Sequence, residues 1–336
     1  MKGAKVLLAA IIAISTLIVL AGNVAAQEKW KPTKTISVIV PWPAGGASDT
    51  VARVTAGVME QSMGQRMVIV NTPGGAGAIG TKEVWDKPHD GYTLTANATV
   101  SVGSYAILGK MEQTHRDWIY YLPIFTPNVI CVKGDSPIKS VDNLVAAMKA
   151  KPGAMVLSSA GVGSSGYFAS ELFKAAAGVT FRHVPYPGGV PAVMAVASGE
   201  AEVVMQLSVE VAELLRGGKL RALAVTSKVP LAIDGYGEIP PVQKFVPSYP
   251  DYGSYFGLMA PADLPKNVVA AYDEAFVKAA ASQAIKDYAK TKGAMPIAIY
   301  GKEAKDLTER LARREAWILF DSGTAAKSPN DFKIAR

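Results

Sequence analysis

The residues of this chain whose types and spacing suggest chemistry are glycines and hydroxyls, not acids, bases or thiols. The run "GAGAIG" (Gly75, Ala76, Gly77, Ala78, Ile79, Gly80) follows the β-branched "MVIVN", and "GVGSSG" (Gly161, Val162, Gly163, Ser164, Ser165, Gly166) follows "AMVLSSA". Both match G-x-G-x-x-G, the spacing of a dinucleotide-binding turn that leaves a strand and opens a helix. The first match fails as a cofactor site. Only about two helical turns fit before Pro88. Where an acid should take a ribose hydroxyl, the chain reads Thr95-Ala96-Asn97-Ala98-Thr99. No cofactor is expected.

The physics of the motif outlasts that failure. Glycines let a backbone approach a ligand, and a helix start presents unpaired N–H groups with partial positive charge. Such places hold anions without a charged side chain. Four occur here, each after a predicted strand: Gly45-Gly46-Ala47-Ser48, residues 74–81, residues 158–166, and Gly188-Gly189. Ligands of open α/β sheets sit at the carboxyl ends of strands, so all four can face one cleft. Rich in donors and poor in acids and bases, that cleft suits capturing a carboxylate better than transforming it.

Other reactive residues are few. Cys131 is the sole cysteine and lies in the β-branched "NVICVKG", the setting of an inert buried thiol. His89, His115 and His183 are far apart with no metal-ligand spacing, so no metal site is expected. Ser158, Ser159, Ser164 and Ser165 lack a His–Asp arrangement or a G-x-S-x-G elbow. Asp49 stands in the first turn of a predicted helix, where the dipole explains it. Arg182 and His183 alternate across a strand and read as structural. Trp42, where the first strand meets its loop, reads equally as core or as cleft lining. Tyr167, Tyr186, Tyr255 and Phe256 raise the option of an aromatic acid ligand.

The elements that must position these loops follow from periodicity. Strands are predicted at 34–42, 67–71, 91–99, 154–160, 179–186, 201–208 and 220–226, with helices between them. The helix after the first strand is predicted from a Ser48 cap to Met63, with Gly64 past its end. Two α/β units of this kind imply doubly wound sheets. The long extended stretches "YYLPIFTPNVICVKGDSP" and "VPSYPDYGSYFGLMAPADLP" read as crossings between the units. Three helices near 267–281, 282–292 and 302–320 complete the first unit. The expected architecture is two lobes, 27–125 plus 246–336 and 126–245, joined by two crossing strands with a ligand cleft between.

Composition bounds the rest. Lys2 and Lys5, the apolar run 6–21 and Val24-Ala25-Ala26 have the layout of a secretory signal peptide cleaved after residue 26. An exported, periplasmic protein is expected. The formal charge of +7 suits anionic ligands, and no Lys/Arg block marks nucleic-acid binding.

"VPWPAGGASDTVAR", "NTPGGAGAIGT", "DGYTL", "SSAGVGSS", "HVPYPGG" and "GKLRALAVTS" occur in this order. In that combination, from residue 34 to the last helix, the chain resembles the Bug-type solute-binding receptors of tripartite tricarboxylate transporters. The resemblance implies a two-lobed periplasmic binding-protein fold (type II-like) that closes on a small organic acid and serves membrane components of a secondary transporter. It implies that one ligand carboxylate meets the lobe-one loops, matching 42–48 and 73–80, among them Trp42, Ala44, Gly45, Gly46, Ala47 and Ser48, and Gly75, Ala76, Gly77 and Ala78; the Thr81 hydroxyl is expected to assist. The distal end then meets Ser159, Gly163, Ser165, Tyr186 and Gly188, with the segment 206–208. Two departures fall on the distal side. Tyr167 stands where the family commonly has histidine, and "GEIPPVQKF" replaces its D-x-P-T segment. The expectation is a monomeric receptor and not an enzyme, the rivals being an exported enzyme acting on a carboxylate and a ligand-binding partner of a membrane sensor.

Overall fold

The computed structural model describes residues 29–336, so the signal-peptide expectation for 1–26 falls outside the described residues. In the first lobe β1 (Ile36–Val40) is the centre of a parallel trio, with β2 (Met67–Asn71) on one side and β3 (Thr93–Ala98) on the other. Helices α1 (Ala47–Met63) and α2 (Ala78–Trp85) make the crossovers, and a short α3 (Thr99–Ser104) leaves β3. The apolar run of β1 reflects burial on both faces, as parallel sheets require: Ile36, Val38 and Val40 are fully buried.

The element that shapes the molecule is β4 (Trp118–Lys133), 16 residues long. Residues 118–127 pair antiparallel with β11 (Gly253–Pro261) and, on the other side, with the edge strand β12 (Met295–Tyr300). From Asn128 on, the same strand pairs with β7 (Val203–Leu207) and β8 (Leu220–Val225) of the second lobe. Pro127 marks the change of partners. It has no N–H to give a ladder, and a proline inside a strand is tolerated where pairing stops or shifts.

In the second lobe β5 (Val156–Ser159) lies parallel between β6 (Arg182–Pro185) and β7. Around it run α4 (Val141–Ala150), α5 (Ser165–Ala177), α6 (Gly189–Ser198) and α7 (Ser208–Arg216). A small hairpin, β9 (Leu231–Ile233) with β10 (Gly237–Ile239), precedes the return to lobe one. There β11 pairs with β3, and α8 (Lys266–Ala280), α9 (Gln283–Lys292) and α10 (Gly301–Asp321) close the chain. Val38, Met59, Leu94, Leu258, Tyr272 and Phe276 pack one face of the first sheet; Leu144, Leu157, Phe168, Phe173 and Val203 pack the second. Each such side chain contributes about 1.5–3 kcal/mol on burial.

The two passages between lobes run side by side, Ser254 opposite Thr126 and Gly253 opposite Pro127. Their polar groups are buried and paired. Thr126 Oγ1 meets Ser208 Oγ at 2.8 Å. The Thr226 hydroxyl accepts the Asn128 N–H at 2.9 Å. Asn128 donates its amide to the Met205 carbonyl and accepts the Ser165 hydroxyl. Ser254 in turn donates to Ser165 at 2.7 Å.

Two readings of the sequence need correction, on the first helix and on the short strands. Gly46, not Ser48, is the N-cap of α1 and has no side chain of its own to cap it; Ser48 lies inside the helix. The strand β12 and the hairpin β9–β10 had no counterpart in the expected elements. Cys131 is fully buried as expected, its thiol pushed up by loss of solvent.

Candidate functional site

The chain leaves β1 through Pro41-Trp42-Pro43-Ala44 and turns at Gly45 into α1. That turn is fixed from beneath by Asp49, which is 2% exposed. Asp49 accepts the Gly45 N–H (2.9 Å), Arg53 Nε and Nη2 (3.0 and 2.9 Å) and Asn71 Nδ2 (3.0 Å). Asn71 also donates to the Trp42 carbonyl at 3.1 Å. Burial by itself raises the Asp49 carboxyl; the hydrogen bonds from Arg53, Gly45 and Asn71 outweigh it and hold the group below its ordinary value.

Trp42 is held from its other end. Its indole N–H donates to Asn97 Oδ1 at 2.8 Å. Asn97, fully buried, donates to Thr81 Oγ1 and Tyr105 Oη, each at 3.0 Å. Thr81 donates to the Gly77 carbonyl at 2.8 Å and Tyr105 to the Ala76 carbonyl at 3.3 Å. This network ties the two lobe-one loops together and fixes the indole ring against Gly77.

Between the lobes lies a cleft of about 480 Å³, partly open to solvent, and three helix N-termini converge on it. Gly46, Ala47 and Ser48 bring the start of α1, Ser164 and Ser165 that of α5, and Gly188 and Gly189 that of α6. Trp42, Pro43, Ala44 and Phe256 give the apolar wall, with Ser101 beside them. Ser164 caps α5 by accepting the Tyr167 N–H.

Several expected residues lie elsewhere. Gly45 is one step from the lining, its N–H spent on Asp49. Gly75, Ala76, Gly77, Ala78 and Thr81 do not line the cleft. The Gly77 N–H turns back onto the Gly74 carbonyl. Ser159 accepts the Gly161 N–H and meets His183 Nε2 at 2.6 Å, inside lobe two. Tyr186 points outward to Glu200. Tyr167 lies outside the lining, its hydroxyl 3.3 and 3.2 Å from those of Ser322 and Thr324. Gly163 serves the contact between lobes: at φ +89°, a Cβ there would stand 2.7 Å from Leu108 Cδ1 and 2.8 Å from Ser104 Oγ.

The residue that sequence reasoning missed is Glu210, in the first turn of α7, the one ionisable side chain among the described residues lining the cleft. Its Oε1 accepts the Ala47 N–H at 3.1 Å across the lobes, and its Oε2 accepts Gln206 Nε2 at 2.8 Å. Burial raises its carboxyl above the ordinary value, against the pull of those two donors. The available signal was its place just past the strand "VVMQL", at the sheet edge that carries the glycine loops.

Comparison with known proteins adds the following. The family described as Tripartite tricarboxylate transporter family receptor matches residues 51–321. A protein from the tcbD-tcbE intergenic region of Pseudomonas sp. (strain P51) is 31% identical over 269 residues, 78% of each chain. Among solved structures, the periplasmic binding protein BugD superposes with a TM-score of 0.80 at 22% identity, over 88% of this chain and 99% of that one. R. palustris Rpa4515 with adipate gives a TM-score of 0.77 at 26% identity, over 87% and 98%.

Proposed function

Since this chain belongs to the tripartite tricarboxylate transporter receptor family, whose members are periplasmic solute-binding proteins and not enzymes, we propose that it is a monomeric receptor capturing a small organic acid between its lobes. It delivers that acid to membrane components of a tripartite secondary transporter. The protein reaches the periplasm through a signal peptide cleaved after residue 26.

The observation that carries this reading is the meeting of three helix starts in a cleft whose described lining holds no lysine, arginine or histidine. Helices of 17, 13 and 10 residues aim there the partial positive charge of their unpaired N–H groups. Such a site holds a carboxylate by peptide donors alone. The backbone donor of Ser48 holds the carboxylate from lobe one, beside the Ala47 N–H that Glu210 takes, and Ser165 and Gly188 meet the ligand from lobe two. Closure excludes water and strengthens these bonds. That Rpa4515 was solved with adipate supports a carboxylate as the ligand class.

A thermal-shift screen of the mature protein over C3–C8 mono-, di- and tricarboxylates and aromatic acids tests the reading. A ligand at a hundred times Kd contributes ~2.7 kcal/mol by linkage, a shift of several degrees. Gly46→Val abolishes that shift and leaves the apo protein folded, because φ at Gly46 is −75° and the added Cβ would face Glu210 Oε1 at 3.4 Å, at the cleft wall. An unchanged ligand shift in this variant removes the assignment of α1. N-terminal sequencing of protein recovered from the periplasm reads Gln27 first.

A further inference from the structure

Glu210 places a carboxylate at the start of α1, where an acid ligand would also bind, yet no cation answers it. Its two partners are a peptide N–H and a carboxamide. No lysine, arginine or histidine among the described residues pairs with it. On neighbouring α9, the hydroxyl of Tyr288 is 2.8 Å from that of Thr50. Both facing helix starts leave room for the group: a Cβ at Gly189 would stand 2.1 Å from Glu210 Oε2. Next to it Gln206, 2% exposed, has Oε1 buried without a partner. The cleft therefore combines a carboxylate without a counter-charge and an unsatisfied acceptor with the donor-rich helix starts. Buried charges are stabilised by opposite charges, and two carboxylates side by side repel.

The geometry points to Glu210 as the reader of a cationic nitrogen: the ligand is an amino-carboxylate whose ammonium lies against the Glu210 carboxylate while its own carboxylate takes the helix-start donors. This rests on the carboxylate-receptor reading and narrows it. Glu210 contacts the Ala47 N–H itself, so ammonium and carboxylate must be close together in the ligand, as on one carbon or adjacent carbons.

Calorimetric titration with matched probes tests it: propionate against alanine, glutarate against glutamate, 3-phenylpropionate against phenylalanine. In the pair whose skeleton fits, the amino member binds roughly 10- to 100-fold tighter, the scale of a hydrogen bond to a charged group. Glu210→Gln keeps the shape, weakens the amino member and removes most of that preference. Glu213→Gln, on the same helix but exposed and paired with Lys292, leaves the preference unchanged. The inference is overturned if the plain acid is the tighter member of each pair that binds, or if Glu210→Gln weakens both members equally, which makes Glu210 an interlobe latch only. The wild-type pairs test it even if the variant folds poorly. Should none of these acids, nor any in the wider screen, bind, the carboxylate reading falls as well.

Discussion

Asp49 and Glu210 lie at opposite ends of the same helix start, and their surroundings move them in opposite directions. Asp49 is overcome by donors and held below its ordinary value; Glu210 is raised by burial. A carboxyl held low in the fold gives stability that is fully present above its unfolded value of ~3.9 and is lost as pH falls through the folded value. Asp49→Asn therefore costs about 1–3 kcal/mol at pH 7, and the difference from wild type shrinks below pH 4 in acid-unfolding curves. Glu315 on α10 behaves in reverse. It is 1% exposed, and burial, only partly offset by Arg314, pushes its carboxyl up to about 8. Between the unfolded value and about 8 the fold keeps a proton that the unfolded chain releases, so stability falls by ~1.4 kcal/mol per pH unit. Glu315→Gln should raise the melting temperature at pH 8 more than at pH 5. Glycine loops made Gly46, Ala47 and Gly188 legible in the sequence, because a missing side chain leaves a local signature. Glu210 left only its position past a strand at that sheet edge: in "SVEVAELL" it reads as a solvated helix acid, whereas Ala47 of the other lobe and Gln206 of its own cover it.

Elements with a strong period were legible nearly to the residue. The helix expected to end at Met63 does so, with Gly64 in the left-handed conformation behind it. The expected C-terminal helices at 267–281 and 282–292 are found as α8 and α9. The edge strand β12, by contrast, is short, carries Pro296 and pairs only with β4, so its stability comes from tertiary contact that no local pattern announces. The α1 cap was misassigned for a related reason. Ser48 is the residue type that caps helices, but Asp49 fixes the turn from below and Glu210 supplies the oxygen from across the cleft. Loop 161–163 supports a prediction at this scale. Gly163→Val adds left-handed strain of about 1–3 kcal/mol and a clash with Leu108. Its ligand affinity should drop, and its radius of gyration in solution scattering should stay at the apo value when ligand is added.

For the whole molecule, two lobes and two passages were legible because both crossings are long, extended and punctuated by proline. How far the lobes approach was not legible, since closeness depends on side chains from separate segments. Tyr167 illustrates this: it lies in lobe two, and its hydroxyl reaches Ser322 and Thr324 at the end of α10. The hydroxyls and amides between the passages form one buried, paired network. Asn128→Ala leaves the Ser165 hydroxyl and the Met205 carbonyl short of a partner and should cost about 2–4 kcal/mol, read by urea unfolding.

Threading β4 through both sheets also orders events in time. The parallel trio β1–β2–β3 receives its neighbour β11 only after residue 253, whereas β5, β6, β7 and β8 all emerge before residue 226. During vectorial synthesis or translocation the later half of the molecule can mature first, leaving the flank of β3 unmated until the carboxyl-terminal third arrives. A carrier that keeps an exported chain from collapsing early would thus have most to shield along residues 93–98. A truncation before 253 should yield an aggregating fragment, not a free-standing half.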